Sequence, residues 1–223
     1  PNEKEATEII AVLSEAAKSG IDLIVVLDDA YFGLFYEDSV QESIFGRFIG
    51  LHPNLLPIKI DGATKESYVW GLRVGFITFG VEEEKTAKAL EQKTMGLIRG
   101  TISNSSHISQ TIVLNSLLSE EYDKEKVEKY HVLKRRAVKV KEILQQDKYK
   151  KHWTPYPFNS GYFMCVKLHG VNAETLRVHL LEKYGVGTIA VNETDLRIAF
   201  SSVNLEDLEQ LFDYIYKGME DLV

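Results

Sequence analysis

The stretch IDLIVVLDDAY, residues 21–31, decides how the fold is read. Its apolar run is not broken by polar alternation, which is the pattern of a buried parallel strand, and it ends in Asp28 and Asp29. The carboxyl ends of such strands face ligand sites in open α/β sheets, so Asp28 stands at a candidate site. Before this run, Ala6, Ile9, Ile10, Leu13, Ala16 and Ala17 recur at helical spacing over residues 4–18, with Gly20 as a stop signal. After it, the pattern predicts a short helix from Ser39 to Ile49, a strand from Leu56 to Ile60 and a second strand-like run from Leu72 to Phe79. The polar connection from Gly62 to Gly71 lies between these strands, where binding residues tend to be found.

Further along, a helix is expected over Glu82 to Gln92, a bend at residues 103–106 and a helix to about Leu118. A long amphipathic helix fits Lys124 to Gln146, with Val127, Val132, Leu133, Val138, Ile143 and Leu144 among dense Lys and Glu, and is expected to bridge two domains. HWTPYPFN then reads as a loop. YFMCVKL, VGTIAV and LRIAFS read as strands, with helices over 173–184 and 205–221. The boundary is placed near residue 120, giving regions 1–120 and 121–223.

The chain has 223 residues, of which 44% are hydrophobic and 26% charged, with only 5 prolines, a globular composition. A net charge of −7 disfavours nucleic-acid binding, and the one basic cluster, Lys134, Arg135 and Arg136, reads as a solvated helix face. The single cysteine, Cys165, allows no internal disulfide, fits a reducing cytoplasm and is expected in a buried strand position without a nucleophilic role. The six histidines have no metal-ligand spacing, and no metal is expected. No apolar run reaches membrane-spanning length, and no membrane association is expected.

Four motifs occur in order: LDDAY (27–31), ATK (63–65), GLRVG (71–75) and DLRIAFS (195–201). Together they resemble the class I and II aminotransferases, fold-type I enzymes that depend on pyridoxal 5'-phosphate, and the resemblance runs the length of the chain. It implies an α/β fold in which residues 1–120 are the second half of a cofactor-binding large domain with a mostly parallel sheet. Residues 121–223 would be a small α+β C-terminal domain.

The resemblance also assigns roles. Lys65 is the lysine that holds the cofactor covalently and later shuttles a proton, which requires an amine. Asp28 pairs with the protonated pyridine nitrogen, and Tyr31 bonds the phenolic oxygen. Arg73, eight residues after Lys65, takes the phosphate in its planar fork, with Thr64 offering a hydroxyl. Arg197 grips the substrate α-carboxylate, and Asn159 in NSGYF contacts the substrate. SNSSH (103–107) is similar to a loop near a dimer contact, and is equally readable as a helix cap. Lys59 and Lys85 are expected to be ordinary solvated loop lysines.

Gly62 departs from the family pattern, since many members carry a phosphate-binding serine there. The chain opens on Pro1 rather than methionine, and the resemblance places this start just after the NPTG segment that supplies other cofactor contacts, so an upstream half is expected to be missing. The implied reaction moves an amino group between an amino acid and a 2-oxo acid, in a cytoplasmic homodimer. A related pyridoxal phosphate lyase or synthase, and the aminotransferase-like effector domain of a transcription regulator, share the same motifs and remain alternatives.

Overall fold

A computed structural model describes residues 1–223 and divides them into two compact units, Pro1–Lys126 and Val127–Val223.

The first unit opens with helix α1, Glu3–Lys18, started by a capping box in which Asn2 and Glu5 satisfy each other's backbone amides. Strand β1, Leu23–Asp28, runs parallel to β2, Leu55–Asp61. Next come the single-turn helix α2, Ala63–Glu66, and β3, Phe76–Phe79, which pairs antiparallel with β2 and completes the sheet order β1-β2-β3. One of the two pairings is therefore antiparallel, against the mostly parallel sheet expected. Helices α3, Glu84–Thr101, and α4, His107–Leu117, follow, and α5, Tyr122–Leu144, carries the boundary between the units.

The core of this unit joins Ala17 of α1 to Leu27, Phe45, Phe48 and Leu55, with Leu23 and Val25 packed against it. Within this chain β1 is covered on one face. Ile24 and Val26, which alternate with the packed residues, are 68% and 54% exposed. Of Ser39 to Ile49 only Ile44–Arg47 is helical, as a 3-10 turn. The strand expected from Leu72 begins only at Phe76, because Arg73 takes φ 54°, a left-handed conformation that no strand tolerates. Helix α3 runs nine residues past its expected end at Gln92, and none of its residues is buried.

The second unit holds a four-stranded antiparallel sheet in the order β4-β5-β7-β6, from β4 (Trp153–Pro155), β5 (Met164–Leu168), β6 (Ile189–Ala190) and β7 (Asp195–Ile198). β4 lies in the segment read as a loop, its prolines masking a three-residue edge strand. Helix α6, Ala173–Tyr184, covers the span expected to be helical, capped by Asn172 at its start and left-handed Gly185 at its end. Helix α7 covers Leu208–Glu220, after a 3-10 turn.

Leu133, Ala137, Val140 and Ile143 are the buried face of α5, whereas Val127 and Val138, apolar positions of the amphipathic pattern, are exposed. Arg136 does not point to solvent as its cluster suggested. It donates to the backbone carbonyl of Ser201. Trp153 stacks on Tyr149, and both are fully buried alongside Phe212 and Leu176. Cys165 is in β5 as expected but only half-buried, because Met164, Val166 and Leu168 take the packed face.

Candidate active site

The first unit gathers most of the expected cofactor residues around the end of the sheet. Leaving β2, the chain enters α2, a helix too short to be stable alone. Its first residue, Ala63, is buried against Val74 and Val113, which anchors the turn and turns Thr64 and Lys65 toward a cavity of about 410 Å³. Ala30, Asp61, Gly62, Thr64, Lys65 and Arg73 contribute to its lining. The Lys65 Nζ lies 5.5 Å from the centroid of the Tyr31 ring, so Tyr31 belongs to the same group.

Asp28 terminates β1 at the register position of Ile60, is exposed, and does not line the cavity. Its Oδ1 accepts the Ala30 amide at 3.1 Å, so it caps the turn leading to Tyr31. Asp29 accepts the Ser43 hydroxyl at 2.5 Å and holds the following loop.

Gly62 and Arg73 show how the loop is held open. A Cβ on Gly62 would sit 2.7 Å from the carbonyl oxygen of Val74 and 3.0 Å from the Gly75 Cα, so a serine cannot occupy this position without moving backbone. The departure from the family pattern thus has a local cause, the close crossing of residue 62 and residues 74–75. Arg73 is exposed, with its left-handed backbone worth about 1 kcal/mol of strain, and its Nη1 lies 3.5 Å from the Trp70 carbonyl. This strained conformation sets Arg73 on the wall of the cavity.

Lys59 is not a loop lysine but a β2 residue tightly ion-paired with Asp61, and this hydrogen-bonded partner holds its ammonium above the usual lysine range. A lysine locked in its charged form is a poor nucleophile.

Two contacts around Lys65 have no counterpart in the sequence reading. Glu66 pairs with Lys126 at 2.7 Å, and the Ser67 hydroxyl lies 2.8 Å from the Tyr122 hydroxyl. Both partners stand at the start of α5, 60 and 55 residues away in sequence, and no local pattern could have revealed them.

In the second unit Arg197 sits in β7 between Cys165 of β5 and Ile189 of β6, on the face opposite the buried Leu196 and Ile198. Its guanidinium carbon is 4.8 Å from the Phe163 ring centroid, within cation–π range. Burial pushes the Cys165 thiol up, with Arg197 only partly opposing it, so the thiol is poorly suited to act as a nucleophile. Asn159 is half-buried in the loop before β5.

The family model described as aminotransferase class I and II matches residues 5–215. Among solved structures, the chain is similar to an aminotransferase from Anaerococcus prevotii, with 23% identity and a TM-score of 0.80 over 97% of this chain and 52% of that one. An aromatic aminotransferase from Pyrococcus horikoshii gives 18% identity and 0.76 over 99% and 56%. The alpha-aminoadipate aminotransferase of Thermus thermophilus, solved with N-(5'-phosphopyridoxyl)-L-leucine, gives 21% and 0.73 over 97% and 54%. The chain spans about half the length of these solved relatives, and at these identities the likeness fixes the fold. No curated protein sequence matches it. No helix is long and apolar enough to cross a membrane.

Proposed function

Because the chain belongs to the aminotransferase class I and II family, we propose that it is the lysine-bearing part of a pyridoxal 5'-phosphate-dependent aminotransferase that exchanges an amino group between an amino acid and a 2-oxo acid. The observation that carries this reading is the shared cavity: an amine, a hydroxyl and a guanidinium, from Lys65, Thr64 and Arg73, line one recess beside Tyr31. That donor set fits an aromatic aldehyde phosphate, the amine for its carbonyl and the cation and hydroxyl for its phosphate. In this reading residues 1–120 are the second half of the cofactor-binding domain and residues 121–223 a small C-terminal domain. The whole protein would be a cytoplasmic homodimer.

When bound, pyridoxal phosphate supplies a ring that accepts electrons from the substrate. Arg73 and Thr64 hold the phosphate, and Tyr31 bonds the phenolic oxygen. By the family resemblance Asp28 would keep a proton on the pyridine nitrogen; in this chain it stands outside the lining of the recess and caps the turn to Tyr31. The Lys65 amine would hold the cofactor and would move the proton at the substrate α carbon. In the second unit Arg197, beside the Phe163 ring, would take the substrate α-carboxylate, and Asn159 would contact the substrate.

A half-reaction assay tests the proposal. Protein treated with pyridoxal phosphate and then with an amino acid is expected to yield pyridoxamine phosphate and the matching 2-oxo acid. Release of ammonia or a thiol without pyridoxamine phosphate would instead identify a lyase.

A further inference from the structure

Asp61 is the one acidic residue in the lining of the recess, alongside Thr64, Lys65 and Arg73, so an anion entering there meets a carboxylate in the same wall as the guanidinium. Asp61 closes β2 and shares a face of that strand with Lys59, two residues earlier, to which it is ion-paired. The Lys59 and Asp61 side chains are only 23% and 19% exposed, and salt and water screen charges held this way less than charges on an open surface. The hydrogen bond to Asp61, with the charges of Asp29 and Glu66 acting in the same direction, holds the Lys59 ammonium above the usual lysine range, so it remains a cation. Asp29 and Glu66 have further partners, the Ser43 hydroxyl at 2.5 Å and the Lys126 ammonium at 2.7 Å. Asp61 makes no ion pair other than that with Lys59.

We propose that Lys59 is a positioning residue for the anion: acting through Asp61, it cancels the one negative charge in the wall of the recess, so that the charge of Arg73 is left to hold a phosphate group there. The proposal rests on the recess being the phosphate site of the reading above. It does not depend on Lys65 reacting. With Lys59 removed, a half-buried carboxylate without a counter-ion repels an anion in the recess; with Asp61 removed, a half-buried ammonium attracts it.

The test is the binding of inorganic phosphate to the whole chain without pyridoxal phosphate, followed by phosphorus NMR line broadening, with Arg73→Gln identifying the part that belongs to the recess. Lys59→Met is expected to weaken that binding by about 3- to 10-fold, and Asp61→Asn to tighten it by about 2- to 10-fold. The double variant Lys59→Met with Asp61→Asn should return to within about twofold of the parent, since neither charge remains. Added salt should narrow the gap between Lys59→Met and the parent.

A pair that merely braces the end of β2 gives a different pattern: both single substitutions weaken binding and the double does not recover. That pattern would overturn the proposal, as would parent-like binding in Lys59→Met or a parent with no binding that depends on Arg73. If Lys59→Met does not fold, Asp61→Asn alone decides the matter, because unchanged or weaker binding in that variant refutes the charge argument. Phosphate binding in the expected order without phosphopyridoxyl labelling of Lys65 would uphold the role of Lys59 and refute the cofactor assignment instead.

Discussion

Replacing Gly62 by alanine isolates the backbone crossing that shapes the cavity. Gly62 has φ 173°, an extended conformation open to any residue, so the substitution carries no penalty from dihedral preference. Its added Cβ would meet the Val74 carbonyl oxygen at 2.7 Å and the Gly75 Cα at 3.0 Å. Neither atom belongs to a flexible side chain, so the strands on either side must separate. Overpacking of this kind costs about 1–3 kcal/mol, and the smaller conformational freedom of alanine in the unfolded chain returns about 0.4–1 kcal/mol. A net loss of about 1–2 kcal/mol corresponds to roughly 5- to 30-fold faster amide exchange in the β2 peptide, residues 55–61. Hydrogen–deuterium exchange reads this in the first unit alone. Gly71→Ala is the control, because its Cβ meets nothing within 4 Å and its φ is not left-handed. Gly62→Ser carries the same Cβ and should behave as the alanine variant does, without tightening phosphate binding. Exchange in Gly62→Ala equal to that in Gly71→Ala would refute the crossing as a constraint.

Arg73→Gly is expected to leave urea stability undiminished, since glycine adopts φ 54° freely, while weakening pyridoxal phosphate binding in a spectral titration by about 10- to 100-fold through loss of a charged hydrogen-bond donor. Phe212→Ala should destabilise the second unit by about 3–5 kcal/mol, followed by the fluorescence of buried Trp153 in urea; a loss below about 1 kcal/mol would contradict its place in the core. Burial pushes the Tyr149 hydroxyl up to about 12 from its ordinary 10.0, so its folded value lies above its unfolded one. The corresponding stability is complete below pH 10 and is lost as pH rises toward 12, and Tyr149→Phe should flatten that alkaline decline in the urea midpoint.

Several elements were legible in the sequence: α1 from its helical spacing and the Gly20 stop signal, the helix expected over 173–184, and β1 from its apolar run. Within this chain one face of β1 packs on α1 while Ile24 and Val26 on the other are exposed. Leu72 to Phe79 looked like one strand because its apolar residues give no hint that Arg73 is left-handed. The family motifs led to Lys65, Thr64, Tyr31 and Arg73, which the fold does bring to one recess. Gly62 read as a missing phosphate contact, and only the three-dimensional crossing gives its reason. Tyr122 and Lys126 were invisible, since contacts 55 and 60 residues distant leave no pattern in the local sequence.

The central claim is that Lys65 is the lysine that takes the cofactor. Borohydride reduction after limited pyridoxal phosphate treatment, followed by peptide mapping, measures it directly. The account predicts that the phosphopyridoxyl group concentrates on the peptide containing Lys65 and that Lys65→Ala abolishes the specific label. Label spread over exposed lysines such as Lys4 and Lys151, unchanged by that substitution, would contradict it.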